Sequence, residues 1–156
     1  MAWMDLIELL RVRTEQTMEM FLRNFSHVPD DKLNWTPTPT AKSALRIAAH
    51  TALYAARFAG MIRDRRLVSP ENLETWLAQR NAEEAAVTDR AEVERIFREG
   101  TAEVVAALGE LSEEDIEATL DSGQGWTMSM KFLMGLPAFH ATLHMGQIDF
   151  LQTCWD

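Results

Sequence analysis

Apolar residues recur at intervals of three or four along four long stretches of this chain, a spacing typical of helices that bury one face. Alternating apolar and polar residues, which would indicate strands, form no convincing pattern. We therefore expect an all-α protein built as a four-helix bundle. The four stretches run from about Trp3 to Phe25, from Ser43 to Arg65, from Asp89 to Leu111 and from Thr127 to Thr153.

The chain of 156 residues fits a single domain covering positions 1–156. The connection between the second and third stretches is long, and Ser69 followed by Pro70 predicts that a short extra helix starts within it. Ser112 with Asp115 predicts one further turn that reaches about Leu120. Pro137 lies inside the fourth stretch, where it predicts a kink or a late start of that helix.

Charge and cysteine content exclude several classes of protein. The 15 basic and 24 acidic residues give a net charge of −9, so we expect no nucleic-acid partner. Glu83 and Glu84 are interpreted as part of a solvated acidic surface. The one cysteine, Cys154, cannot form an internal disulfide, and no apolar run has the ~20 residues of a membrane span. We expect a cytoplasmic protein with no membrane partner.

Three of the four histidines fall on stripes that are predicted to face the bundle interior. His140 and His144 are four residues apart, so they project from the same side of one helix. Their stripe also contains Leu133, Leu136, Leu143, Gln147 and Leu151.

His50 lies in the second stretch, on an inward face beside Ile47 and Leu53. Metal sites in helical bundles are built from side chains on facing helices, and an H-x-x-x-H pair is a good two-point ligand. The sequence therefore predicts a metal site formed by His50, His140 and His144. Hydrogen-bonded core histidines without a metal remain the alternative. Cys154 lies too far along the helix to join them, and His27 is assigned no chemistry.

Candidates for contact with a substrate are fewer. Tyr54, one turn after His50, can donate a hydrogen bond, Gln147 can orient a ligand, and Trp126 can line the mouth of the bundle. Packing alone explains each of these residues as well. No catalytic residue is identified, because no carboxylate clearly shares the face of His140 and His144. Asp149 should point about 140° away from His144.

The segments Trp35-Thr-Pro37, before the helix that carries His50, and His140-Ala-Thr-Leu-His144-Met-Gly146-Gln147 resemble the DinB-like superfamily. These damage-inducible four-helix bundles are related to bacterial thiol S-transferases that use bacillithiol or mycothiol. The resemblance covers nearly the whole chain. It implies that His50, His140 and His144 hold a divalent ion, with zinc or nickel favoured. It also implies a small-molecule thiol or electrophile as partner, and a possible homodimer. Pro137 is a departure from the family pattern.

Two functions follow as hypotheses. The first is a metal-dependent hydrolase or transferase that activates a low-molecular-weight thiol or water. The second is a non-catalytic, metal- or ligand-binding dimeric bundle. For the second, the chain offers residues that would form an adaptable apolar surface. These are Met128, Met130, Met134, Met145 and Trp155.

Overall fold

The computed structural model describes residues 3–155. Four long helices, α1, α2, α4 and α6, form the bundle, in which α1 and α2 each contact both α4 and α6. The helix α3 packs against α2 and lies in the crossover between α2 and α4. The predicted all-α bundle with a short extra helix is confirmed. The helices are α1 Trp3–Ser26, α2 Ala44–Asp64, α3 Leu73–Ala86, α4 Arg90–Gly109, α5 Glu113–Glu117 and α6 Met130–Gln152, with a 3₁₀ turn at Asp30–Lys32.

The core follows the apolar stripes of the long helices. On α4 the stripe of Val93, Phe97, Gly100, Val104 and Leu108 is buried along its whole length. It faces the buried side of α1, where Phe21 meets Phe97 edge to face with ring centroids 5.4 Å apart. Such pairs add to the free energy gained from burial alone.

The small residues of α2 let α4 approach closely at one point. A Cβ atom placed on Gly100 would lie 2.9 Å from the Cβ atom of Ala55 and 2.9 Å from the backbone nitrogen of Ala56. Glycine at position 100 therefore sets the distance between the two helices.

We expect Gly100→Ala and Gly135→Ala to change stability in opposite directions. At Gly100 the added methyl group meets backbone, and overpacking of this kind costs about 1–3 kcal/mol, more than the ~1 kcal/mol gained in helix propensity. Gly135 lies within α6, and a Cβ atom placed on it would have no neighbouring atom within 4 Å, so alanine there should stabilise by about 0.5–1 kcal/mol. Urea unfolding of both variants measures the two effects. Equal shifts would contradict the close approach of α2 and α4.

The prediction that the chain contains no strands is wrong in one place. Strands β1 (Thr119–Asp121) and β2 (Thr127–Ser129) form an antiparallel hairpin just before α6. Gly123 and Gly125 in its loop have positive φ angles of 73° and 84°, which glycine adopts without strain. Three residues per strand are too few for an alternating pattern to be recognised. The hairpin also ends the preceding helical turn at Glu117, short of the expected Leu120.

Two helix starts also differ from expectation. Asn72, not Ser69, caps α3, and its side chain accepts a hydrogen bond of 2.9 Å from the backbone N–H of Thr75. Pro137 does not delay the start of α6. The helix begins at Met130, before the proline, and continues through it to Gln152.

The buried and exposed faces of α6 differ in part from the predicted stripe. Leu143 is 53% exposed and does not face the interior. Met130 and Met134 are fully buried, so they belong to the core and do not contribute to an adaptable surface. Within residues 3–155, no helix is both long enough and apolar enough to cross a membrane.

Candidate metal centre

The three histidines meet at the interface between α2 and α6. Nε2 of His140 lies 3.2 Å from Nε2 of His50 and 3.1 Å from Nε2 of His144. One ligand nitrogen from each residue lies within 4.8 Å of the other two. The structure therefore brings together the three histidines selected from the sequence.

The other ring nitrogen of two of these histidines has an oxygen partner. Nδ1 of His50 lies 2.6 Å from Oε1 of Glu84, and Nδ1 of His144 lies 2.7 Å from Oε1 of Gln147. Because a carboxylate or amide oxygen accepts, each Nδ1 carries the proton of the neutral ring. The Nε2 atoms of both rings are then left with lone pairs that point at His140.

This arrangement does not satisfy itself by hydrogen bonding. Nε2 of a neutral His140 carries at most one proton, so at most one of its two close contacts is a hydrogen bond. The other contact leaves the lone pair of its neighbour without a hydrogen to accept. A cation between the three nitrogens removes the conflict.

The donor set fits a divalent metal ion. Two nitrogens that share a tetrahedral zinc ion at about 2.0–2.1 Å are about 3.3–3.4 Å apart, close to the 3.1 and 3.2 Å observed here. Imidazole is a suitable ligand for both zinc and nickel. Three ligands leave a coordination position open, as in catalytic zinc sites.

Burial keeps all three histidines neutral. It lowers the pKa of His50 and His144, and hydrogen bonds to Glu84 and Gln147 oppose this only in part. Burial, together with the neighbouring His144 and His50, lowers the pKa of His140 to about 3. The lowered pKa values favour the neutral rings that bind metal, most strongly for His140.

We expect the metal-free protein to lose stability as the pH falls below about 6.5, the ordinary pKa of histidine. The unfolded chain then binds protons that the folded chain does not, so the free energy of unfolding decreases. For His140 the slope is about 1.4 kcal/mol per pH unit. Urea unfolding between about pH 5 and pH 8 measures it, in a range where carboxylates contribute little. A His140→Ala, His144→Ala variant with the same pH dependence would contradict this origin.

Glu84 is the site residue that the sequence analysis missed. It is 2% exposed, not part of a solvated surface, so the interpretation as a solvated acidic residue is wrong for Glu84. Its Oε2 accepts from Lys42 Nζ at 2.7 Å and lies 3.7 Å from Arg46 Nε. Burial raises the pKa of Glu84, but the hydrogen bonds from Lys42 and His50 outweigh it and hold the pKa below its usual value. Glu84 is thus an ionised acceptor that fixes the ring of His50.

The three residues proposed for substrate contact lie in different surroundings. The Tyr54 ring packs 4.4 Å from the His50 ring and 5.0 Å from the His140 ring, centroid to centroid. The side-chain oxygen of Gln147 accepts a hydrogen bond from His144. Trp126 is 43% exposed. Trp126 and Tyr54 line the same cavity. Asp149 points away from the histidines, as expected, and accepts a hydrogen bond from Asn24 of α1.

Comparison with solved structures places the fold among known proteins. The chain is similar to a DinB-like protein of Bacillus subtilis, with 17% identity, a TM-score of 0.66 and coverage of 92% of this chain and 88% of that one. It is similar to an uncharacterised protein of Clostridium difficile 630, with 12% identity, a TM-score of 0.74 and coverage of 96% and 97%. The TM-scores show a shared fold, and at identities of 17% and 12% the comparison shows no more than the fold.

A third similar structure is an enzyme, the mycothiol-dependent maleylpyruvate isomerase. The identity is 15%, the TM-score is 0.69, and the match covers 95% of this chain but only 63% of the isomerase. No curated protein matches the sequence. The sequence model of the DinB superfamily matches residues 13–148, which include all three clustered histidines. The chain therefore belongs to the DinB superfamily.

Proposed function

We propose that His50, His140 and His144 bind one divalent metal ion, zinc or nickel, and that the protein is a metal-dependent hydrolase or transferase. Its partner would be a low-molecular-weight thiol or water, together with a small-molecule electrophile. The observation that carries this proposal is that Nε2 of His140 lies 3.2 Å from that of His50 and 3.1 Å from that of His144, with hydrogen available for at most one of the two contacts. A divalent ion bound there would supply Lewis acidity, which lowers the pKa of a thiol or water.

The chain's own residues would orient this site. Glu84 and Gln147 hold the rings of His50 and His144 through Nδ1, so that Nε2 stays free. Burial raises the pKa of the Tyr54 hydroxyl, which therefore stays protonated at neutral pH and able to donate a hydrogen bond to a ligand. Glu84 is engaged by His50 and Lys42, so it is not free to accept a substrate proton. A thiol substrate would then have to release its proton to solvent or to another part of the substrate.

Thiol chemistry is supported by membership of the DinB superfamily and by the likeness to a mycothiol-dependent enzyme. The likeness covers 63% of that isomerase, so its reaction is not carried over. The reducing cytoplasm is the compartment we propose, because a thiol co-substrate and an unpaired Cys154 both suit it.

Metal content tests the proposal most directly. The protein is purified without a metal-affinity tag and then incubated with zinc or nickel, and its metal is measured by mass spectrometry. We expect about one ion per chain. The proposal is wrong if neither ion binds at micromolar concentration.

Turnover separates the enzyme from a binding protein. The metal-loaded protein is assayed with bacillithiol, mycothiol and cysteine against a panel of electrophiles, with the metal-free protein as control. We expect thiol consumption that depends on the metal. Metal binding without turnover in any combination would favour the non-catalytic alternative.

One observation favours the dimeric form of that alternative. Helix α6 presents large apolar side chains to solvent along one side, each of them at least half exposed. Such a surface is typical of a protein–protein contact. The residues are Phe132, Phe139, Leu143 and Phe150.

We propose a homodimer formed through this side of α6. Sedimentation of the wild type and of Phe139→Glu measures it, with Glu103→Gln on exposed α4 surface as control. A dimer should dissociate in Phe139→Glu only. A wild-type monomer at about 100 μM would rule out the homodimer.

A further inference from the structure

A cavity of about 640 Å³ beside the histidines has a charge opposite to that of the whole protein. Among the described residues in its wall, Arg57, Arg66 and Arg80 face a single acidic side chain, Asp64. The chain as a whole has a net charge of −9. Counting also Glu83, which pairs with Arg57 and Arg80, the three arginines leave one excess positive charge at the cavity, which favours anions.

Two of these arginines have donors to spare. Arg57 and Arg80 each donate from Nη2 to the carboxylate of Glu83, with a distance of 2.6 Å for Arg80. A guanidinium carries five N–H donors, and one carboxylate neutralises only one of the two charges. Nη1 of Arg57, Nε of Arg80 and the hydroxyl of Ser69 are buried with no hydrogen-bond partner. These three atoms are out of reach of solvent, so a carboxylate ligand would pair first with the other guanidinium N–H donors that Glu83 leaves free.

Aromatic rings hold both arginines in place and line the same cavity. The guanidinium carbon of Arg57 lies 4.6 Å from the centroid of the Tyr54 ring, and that of Arg80 lies 5.6 Å from the Trp76 ring. Such stacking fixes the plane of the guanidinium, whose fork matches a carboxylate. Trp126 completes the aromatic part of the wall. The wall of the cavity therefore combines flat aromatic surface with guanidinium N–H donors.

The cavity borders the candidate metal centre through one side chain. Tyr54 contacts Arg57 on one side, and its ring centroid lies 5.0 Å from that of His140. A small molecule held by Arg57 and Arg80 would therefore lie against Tyr54, one side chain away from His140.

We infer that this cavity binds an organic carboxylate with a flat apolar body, whose carboxylate is held by Arg57 and Arg80. Its role as the electrophilic substrate rests on the proposed function, whereas its binding does not. The spare guanidinium donors select the carboxylate, and Tyr54, Trp76 and Trp126 select the flat body.

The test compares 2-naphthoate with the neutral 2-naphthamide in titrations of the metal-free protein, followed by calorimetry. We expect the acid to bind at least about tenfold more tightly, because hydrogen bonds to charged groups discriminate by that much or more. Arg57→Gln, Arg80→Gln should remove the preference for the acid. Arg63→Gln, an exposed arginine on the same helix α2 and outside the cavity wall, should keep it.

Three outcomes would overturn the inference. They are equal affinity for acid and amide, no saturable binding of either, and acid binding that needs the metal and is unchanged in the arginine double variant. Arg57→Lys keeps the charge without the fork and should lie between wild type and Arg57→Gln, so the assignment stays testable if the double variant does not fold.

The metal proposal is tested separately by the His140→Ala, His144→Ala variant. It should still prefer 2-naphthoate to 2-naphthamide. Failure of metal binding and failure of carboxylate binding are therefore independent results.

Discussion

Replacing His140 with alanine is expected to weaken zinc binding by about 100- to 1000-fold. Structural zinc sites with four ligands contribute about 10–16 kcal/mol, or about 2.5–4 kcal/mol per ligand, and each 1.4 kcal/mol is about tenfold in affinity. In the proposed metal site His140 would be the central ligand, because its Nε2 lies within 3.2 Å of both other Nε2 atoms. Competition with a chromophoric chelator measures the affinity.

The matched control for this variant is His27→Ala. His27 is exposed beyond the end of α1 and lies outside the histidine cluster, so its loss should leave the affinity unchanged. Circular dichroism establishes that both variants are folded. If His140→Ala bound zinc as tightly as the wild type, the three histidines would not be the metal ligands.

Replacing Glu84 with alanine should cause the second-largest loss of zinc affinity, although Glu84 is not one of the three proposed metal ligands. Residues that orient a metal ligand typically contribute 10- to 100-fold to affinity, and Glu84 holds His50 through a 2.6 Å contact. The change also leaves Nδ1 of His50 without its acceptor, which we expect to destabilise the protein by about 1–3 kcal/mol.

Two further variants separate orientation from charge. In Glu84→Gln the amide oxygen can still accept from His50 Nδ1, so the metal affinity should fall less than in Glu84→Ala. Glu103→Ala removes an exposed carboxylate on α4 and should change neither affinity nor stability. Equal losses in Glu84→Gln and Glu84→Ala would mean that the negative charge matters more than the hydrogen bond.

The difference between Glu84 and the histidines explains how far the sequence could be interpreted. His140 and His144 are four residues apart on one helix, and His50 lies on a strongly apolar face of α2, so local periodicity was enough to bring them together. Glu84 contacts a residue 34 positions earlier. Its own helix, α3, buries no apolar residue among those described. The spacing of apolar residues in α3 therefore does not predict that Glu84 is buried.

The missed features of the fold have equally local causes. Strands β1 and β2 are three residues each and pair only with one another, so no long alternation marks them. Leu143 fits the spacing of the inward stripe but lies on its edge, where it is 53% exposed. By contrast, apolar residues recur at intervals of three or four along the whole of α4, and the stripe from Val93 to Leu108 is buried.

Helix α3 buries only Glu84 among its described residues, and this determines how the helix can move. A segment with few buried apolar contacts unfolds locally at lower free energy than the bundle it covers. Detachment of α3 would remove the acceptor of His50 and, with Trp76 and Arg80, one wall of the cavity. Amide hydrogen exchange in Leu73–Ala86 should therefore be faster than in α2 and α4, and occupancy of the histidine cluster should slow it. Opening of the crossover helix α3 would therefore change access to the cavity and the orientation of the His50 ring at the same time.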